Sequence, residues 1–89
     1  MERCEAHALT VEFDSSDHTQ TLLRFAADLH RRRITITALS FTVPAAERVR
    51  IDAEFTATGR QARTAQRTLQ GRIGVLRTAL RGVGLISSA

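Results

Sequence analysis

The chain has little with which to staple itself. Cys4 is the one cysteine among 89 residues, so no disulfide can close within it. His7, His18 and His30 stand far apart and show none of the Cys/His spacing of a zinc site. Lysine is absent; all thirteen basic residues are arginine. No stretch approaches the ~18 consecutive apolar residues of a transmembrane helix. Met1 to Thr10 carries no apolar run of signal-peptide length, so a cytoplasmic protein without a membrane partner is expected. No Ser/His/Asp, Cys/His or paired-carboxylate arrangement can be read from spacing. Asp14 and Asp17 flank a loop, where acids beside a helix start are ordinarily caps. The expectation is a non-catalytic chain with no cofactor and no metal. A single domain of this size buries only ~60–65% of the surface its unfolded form exposes. With no disulfide or metal to compensate, oligomerisation is expected.

Charge is unevenly spread. The nine acids all lie at or before Glu54, against seven arginines in the first 58 residues. Arg60, Arg63, Arg67, Arg72, Arg77 and Arg81 follow with no acid among them. Such asymmetry suggests that the C-terminal part meets an acidic surface.

Hydrophobic spacing orders the chain. His7 to Phe13 alternates, with His7, Leu9, Val11 and Phe13 on one side and Ala8, Thr10 and Glu12 on the other, which predicts a half-buried strand. Asp17 is placed to cap a helix, with Gln20 at its third position. Leu22, Phe25, Ala26 and Leu29 form that helix's apolar stripe, and Arg31, Arg32 and Arg33 close it against the negative end of its dipole. Ile34 to Val43 is rich in β-branched residues and reads as a strand ended by Pro44. Its alternation changes phase, which predicts a bulge near Thr37-Ala38. Pro44 to Glu47 has hairpin length. Arg48 to Ala57 alternates again, with Val49, Ile51, Ala53, Phe55 and Ala57 toward the core.

Thr58-Gly59-Arg60-Gln61 repeats the capping pattern. A second helix follows, with Ala62, Ala65 and Leu69 inward and Arg60, Arg63 and Arg67 as an outer basic stripe. Gly71 or Gly74 ends it, and Val75 to Leu80 is a fourth strand. The histidines read as surface or edge residues. The order β-α-β-β-α-β is the split arrangement of α+β ferredoxin-like domains: two helices on one face of a four-stranded antiparallel sheet, the other face bare. The domain is expected over residues 7–81, between tails at 1–6 and 82–89.

A basic chain of this topology invites an RNA reading, in which aromatics on the first and third strands stack bases on the helix-free face. Phe13 and Phe55 share parity with the core, and the bare face carries Glu12, Asp52 and Glu54, which repel phosphate. No nucleic-acid partner is expected. An acylphosphatase-like enzyme would need an arginine in the loop after the first strand, where Asp14-Ser15-Ser16-Asp17 is acidic.

From Thr19 to Val43 the chain resembles an ACT domain, specifically that of the small regulatory subunit of acetolactate (acetohydroxyacid) synthase in its short isozyme II form. That family's pattern is like P-G-V-L-x-R-V-x-x-L-F-x-R-R-G-F-N-I-x-S-L, and this chain reads T-Q-T-L-L-R-F-A-A-D-L-H-R-R-R-I-T-I-T-A-L. Leu22, Arg24, Leu29, Arg31, Arg32, Ile36 and Leu39 are among the matching positions. The family's turn glycine is matched by Gln20, its second glycine by Arg33 and its effector-binding asparagine by Thr35. The resemblance implies a side-by-side homodimer and a branched-chain amino acid effector held by Ser15, Ser16, Thr19, Gln20, Thr21, Leu22, Thr35 and Ile36. Gln20 and Thr35 depart from the pattern at the ligand contacts, which implies a subunit insensitive to valine. It also implies docking on the large thiamine-diphosphate-dependent catalytic subunit, through Arg60, Arg63 and Arg67 or through the bare sheet face with Arg48, Asp52 and Glu54. Leu23, on the helix flank outside the core stripe, is the candidate for an apolar contact across the homodimer interface. The alternative is a stand-alone amino-acid-binding ACT sensor.

Overall fold

The computed structural model describes residues 3–83. Strand β1 (Glu5–Asp14) leads to helix α1 (His18–Arg31), then strands β2 (Thr35–Ala45) and β3 (Arg48–Ala57), helix α2 (Gly59–Gln70) and strand β4 (Val75–Gly82). The sheet order is β2-β3-β1-β4, with every neighbouring pair antiparallel. Both helices cover one face. The expected N-terminal tail gives up Glu5 and Ala6 to β1, while Gly82 joins β4; residues 84–89 of the expected C-terminal tail lie outside the described residues.

Local chemistry accounts for the element ends. The Asp17 carboxylate accepts the Gln20 N–H at 3.2 Å and caps α1. At α2 the capping box is complete: Thr58 Oγ1 accepts the Gln61 N–H at 3.1 Å, and Gln61 Oε1 accepts the Thr58 N–H at 2.9 Å. Helix α1 ends in a Schellman motif. The Ile34 N–H donates to the Leu29 carbonyl and the Arg33 N–H to the His30 carbonyl, with Arg33 left-handed at φ 60°. Ile34, expected to open the strand, instead closes this motif and packs beside Leu29 in the core. Gly74, at φ +92°, is the glycine that the backbone requires; Gly71 caps α2 in an ordinary right-handed conformation.

The strand phases place the core. Leu9, Val11, Val49, Ile51 and Phe55 are completely buried from the sheet side, meeting Phe25, Leu29, Ala62, Ala65 and Leu69 from the helices. The β2 register shifts between Ile36 and Ala38, so the bulge falls at Thr37. Two expectations need correction. Pro44 does not stop β2, which runs on to Ala45. As an edge strand, β2 owes hydrogen bonds on one side only, so a residue without an N–H is tolerated there. His7 is not a surface residue but is buried, with Nε2–H donating to the Ala57 carbonyl at 3.1 Å and its ring stacked on Phe55 at 5.8 Å. The hydrogen bond offsets what burial of the imidazole costs. Among the described residues, no helix is long and apolar enough to cross a membrane.

Candidate ligand and partner surfaces

The β1–α1 loop is held by polar ties. The Ser15 N–H donates to the Glu47 carbonyl at 3.0 Å, and the Ser15 and Thr21 hydroxyls lie 2.6 Å apart. Thr21 Oγ1 also donates to the Asp17 carbonyl at 3.0 Å. His18 Nε2–H reaches the Ala46 carbonyl at 2.6 Å, tying the loop to the β2–β3 turn. Ser16, Thr19 and Gln20 are exposed around this frame, while Leu22 packs against the core.

The remaining residues expected at a ligand site lie elsewhere. Thr35 pairs with Thr56 and Ile36 with Phe55, at the far end of β3 from Arg48, the residue that pairs with Asp14 beside the loop. Eight residues of strand separate the two ends, roughly 27 Å at about 3.4 Å per residue. Within one chain, Thr35 and the Ser15–Leu22 loop are therefore not brought together.

Helix phase sorts the flanks of α1. Asp28 faces α2, because its carboxylate meets Arg72 after the α2 end. Leu23 lies on the opposite flank by the 3.6-residue period, above the β2 edge. It is 59% exposed, and Leu39 and Val43 on β2 are also exposed. This edge combines apolar side chains with the unpaired backbone of a strand eleven residues long. Arg60, Arg63 and Arg67 are exposed on α2. They lie away from the α1 side, where Arg32 Nη2 donates to Thr68 Oγ1 at 2.6 Å.

On the bare face, Thr10 Oγ1 donates to Asp52 Oδ1 at 2.6 Å, Arg50 Nε meets Asp52 Oδ2 at 3.0 Å, and Arg77 Nη2 meets Glu12 Oε2 at 2.7 Å. The Arg77 hydrogen bond holds the Glu12 carboxyl below its usual range, against a smaller opposing effect of burial. Burial pushes the Asp52 carboxyl up, and the hydrogen bonds from Thr10 and Arg50, with the Arg50 and Arg81 charges, outweigh it and leave the group lowered. Phe13 and Phe55 are buried on the helix side, as their parity predicts.

Asp28 escaped the sequence reading. It is 6% exposed, and its Oδ1 accepts both Arg31 Nη2 and Arg72 Nη2. The visible signal was a lone acid between Phe25 and Leu29 on a helix face otherwise apolar, with an arginine three residues on. Its second partner, Arg72, could be found only from the tertiary structure. Among the described residues, no three of His, Cys, Asp and Glu gather where they could hold a metal ion.

No family model matches the sequence, and no curated protein matches it. Solved structures do match in shape. The uncharacterized protein TM1266 from Thermotoga maritima superposes with a TM-score of 0.73 at 13% identity, covering 92% of this chain and 100% of that one. The C-terminal domain of the MgtC protein from Mycobacterium tuberculosis gives 0.70 at 11% identity, covering 88% and 86%. The ligand-free regulatory subunit of aspartate kinase from Thermus thermophilus gives 0.59 at 23% identity over 96% of this chain, which spans 64% of that subunit. At these identities the likeness concerns the fold alone, and that fold is the ferredoxin-like βαββαβ domain.

Proposed function

We propose that the chain is a small regulatory subunit of acetolactate synthase, docking on the thiamine-diphosphate-dependent catalytic subunit and activating it. The observation that carries the reading lies at Arg33. The resembling family has a glycine at this position, and here the arginine sits at φ 60°, the left-handed conformation that glycine favours. A left-handed backbone at the position where the family keeps glycine supports the resemblance between Thr19 and Val43. The similarity in fold to a regulatory subunit of another enzyme supports the same broad role.

The proposed working form is a homodimer joined along β2. A two-fold axis near the middle of antiparallel β2 strands would set Thr35 of one copy beside the Ala45–Ala46 end of the other, next to its Ser15–Leu22 loop. The residues that one chain keeps apart would then meet at each end of the interface. Gln20 and Thr35 stand where the family contacts its branched-chain effector, and threonine lacks the paired donor and acceptor of an amide. The reading includes weak or absent response to valine. The Arg60, Arg63 and Arg67 stripe supplies a docking face for an acidic surface of the catalytic subunit. A regulator shifts its partner only by its differential affinity for two states, so activation requires tighter binding to the active one.

Co-purification with a catalytic subunit and a rise in its acetolactate production test the reading. Absence of both a complex and a rate change at micromolar protein overturns it. Calorimetry of the chain alone against the twenty amino acids addresses the sensor alternative, which requires binding without a partner.

A further inference from the structure

A groove of about 630 Å³ opens between α1 and the α2–β4 turn. It lies on the α2 flank of α1, away from Thr35, Leu23 and the β2 edge. Its walls bring together Arg24 and Arg31 from α1 with Arg72 from the turn; the buried Asp28 lies between them. The volume falls within the range of small-molecule sites, about 300–1,000 Å³.

The charges in the groove do not cancel. Three guanidiniums line it against two carboxylates, those of Asp28 and the exposed Asp14. Asp28 is committed: its Oδ1 takes one Nη2 of Arg31 and one of Arg72. Each guanidinium has five N–H donors, so each retains donors beyond that contact. The side chains of Arg31 and Arg72 are 65% and 49% exposed, open to a solute. A carboxylate that is nearly buried thus anchors two half-open guanidiniums in fixed positions before any ligand arrives, which lowers the ordering cost of binding. Ser15 and Thr21 add hydroxyls at the β1–α1 end, and most of the remaining surface is apolar. Phe13, Phe25 and Leu69 form the floor, and Ile73 stands wholly in solvent at the lip.

We propose that this groove binds a small organic carboxylate bearing a short apolar chain. Its head group is held by Arg24, Arg31 and Arg72, and its chain lies against Ile73 and the apolar floor. Planar guanidiniums match a carboxylate through two parallel N–H···O bonds, and the chain would cover the exposed isoleucine. The groove shares Ser15 and Thr21 with the β1–α1 loop, but the proposal rests on the guanidinium cluster and does not require acetolactate synthase regulation.

The test is a titration of the isotope-labelled full chain, followed by amide chemical shifts, with hexanoate, hexan-1-ol and inorganic phosphate as probes. Hexanoate is expected to saturate with a dissociation constant at or below about 5 mM, a modest affinity for one charged contact and a short chain. The shifts should centre on Asp28, Arg31 and residues 71–74. Hexanol should fail to saturate for lack of the charge, and phosphate should bind at least about tenfold more weakly for lack of the chain. Arg72→Gln should weaken hexanoate about tenfold. Arg24→Gln, which leaves the Asp28 contacts intact, should also weaken it. No saturation by about 20 mM hexanoate, shifts centred elsewhere, phosphate binding as tight as hexanoate, or unchanged affinity in a folded Arg24→Gln variant would each overturn the proposal.

Discussion

Asp28 and Arg72, 44 residues apart in sequence, meet at 2.5 Å and join the C-terminal half of α1 to the turn that leaves α2. The same carboxylate oxygen also accepts Arg31, one helical turn on. A carboxylate this deeply placed would cost several kcal/mol unpaired. Two guanidiniums offset that cost, and together with the Arg32–Thr68 hydrogen bond they lash the helices together at this end.

Replacing Asp28 with alanine removes the anchor and leaves two like charges facing each other. Both arginines retain access to water, so the expected loss is about 1–3 kcal/mol rather than the larger penalty of a stranded buried charge. Urea denaturation measures it, and a midpoint unchanged from the parent would show that the cluster contributes nothing to stability.

Arg33→Gly should stabilise the chain. A side chain in the left-handed region costs roughly 1–2 kcal/mol, which glycine avoids, while glycine's extra freedom in the unfolded chain takes part of the gain back. The expected net gain is about 0.5–1 kcal/mol, seen as a rise of a few degrees in melting temperature. A fall would mean that the arginine side chain makes compensating contacts.

Gly74→Ala should do the opposite. At φ +92° any side chain is strained, and a Cβ would sit 3.2 Å from the Asp14 carbonyl oxygen. That backbone cannot easily give way, because the Asp14 N–H donates to the Gly74 carbonyl at 2.7 Å. A loss of about 1–2 kcal/mol is expected, with the earliest loss of hydrogen-exchange protection where β4 meets β1.

The bare face should respond to acid. Both Glu12 and Asp52 have folded-state pKa values below their ordinary 4.5 and 3.8. Their contribution is therefore fully present above those ordinary values and is lost as pH falls through the lowered ones. Urea midpoints should decline below about pH 4.5, and the double variant Glu12→Gln/Asp52→Asn should flatten that decline. An equally steep decline in the variant would place the acid sensitivity elsewhere.

At the β2 edge, Leu23→Glu should dissociate the proposed homodimer, because it would place a charge in an apolar contact. Light scattering before and after the change decides the matter; an unchanged dimer mass would remove Leu23 from the interface.

The amino-acid sequence by itself determined the elements and their phases. Alternation from His7 to Phe13 and from Arg48 to Ala57, the caps at Asp17 and Thr58, and the bulge at Thr37 depend on a residue and its near neighbours. Tertiary structure alone decided what lies across from what. Pro44 sits within β2 because β2 became an edge, and His7 is buried because Ala57 offers its carbonyl from the neighbouring strand. The one-sided charge of the C-terminal segment is partly cancelled by distant acids, Asp28 for Arg72 and Glu12 for Arg77. The loop and Thr35, grouped at one ligand site by the resemblance, lie at opposite ends of the sheet within one chain. Local preference cannot fix such pairings, since they depend on strand order and on which helix flank meets the other, and both are set only when the core closes.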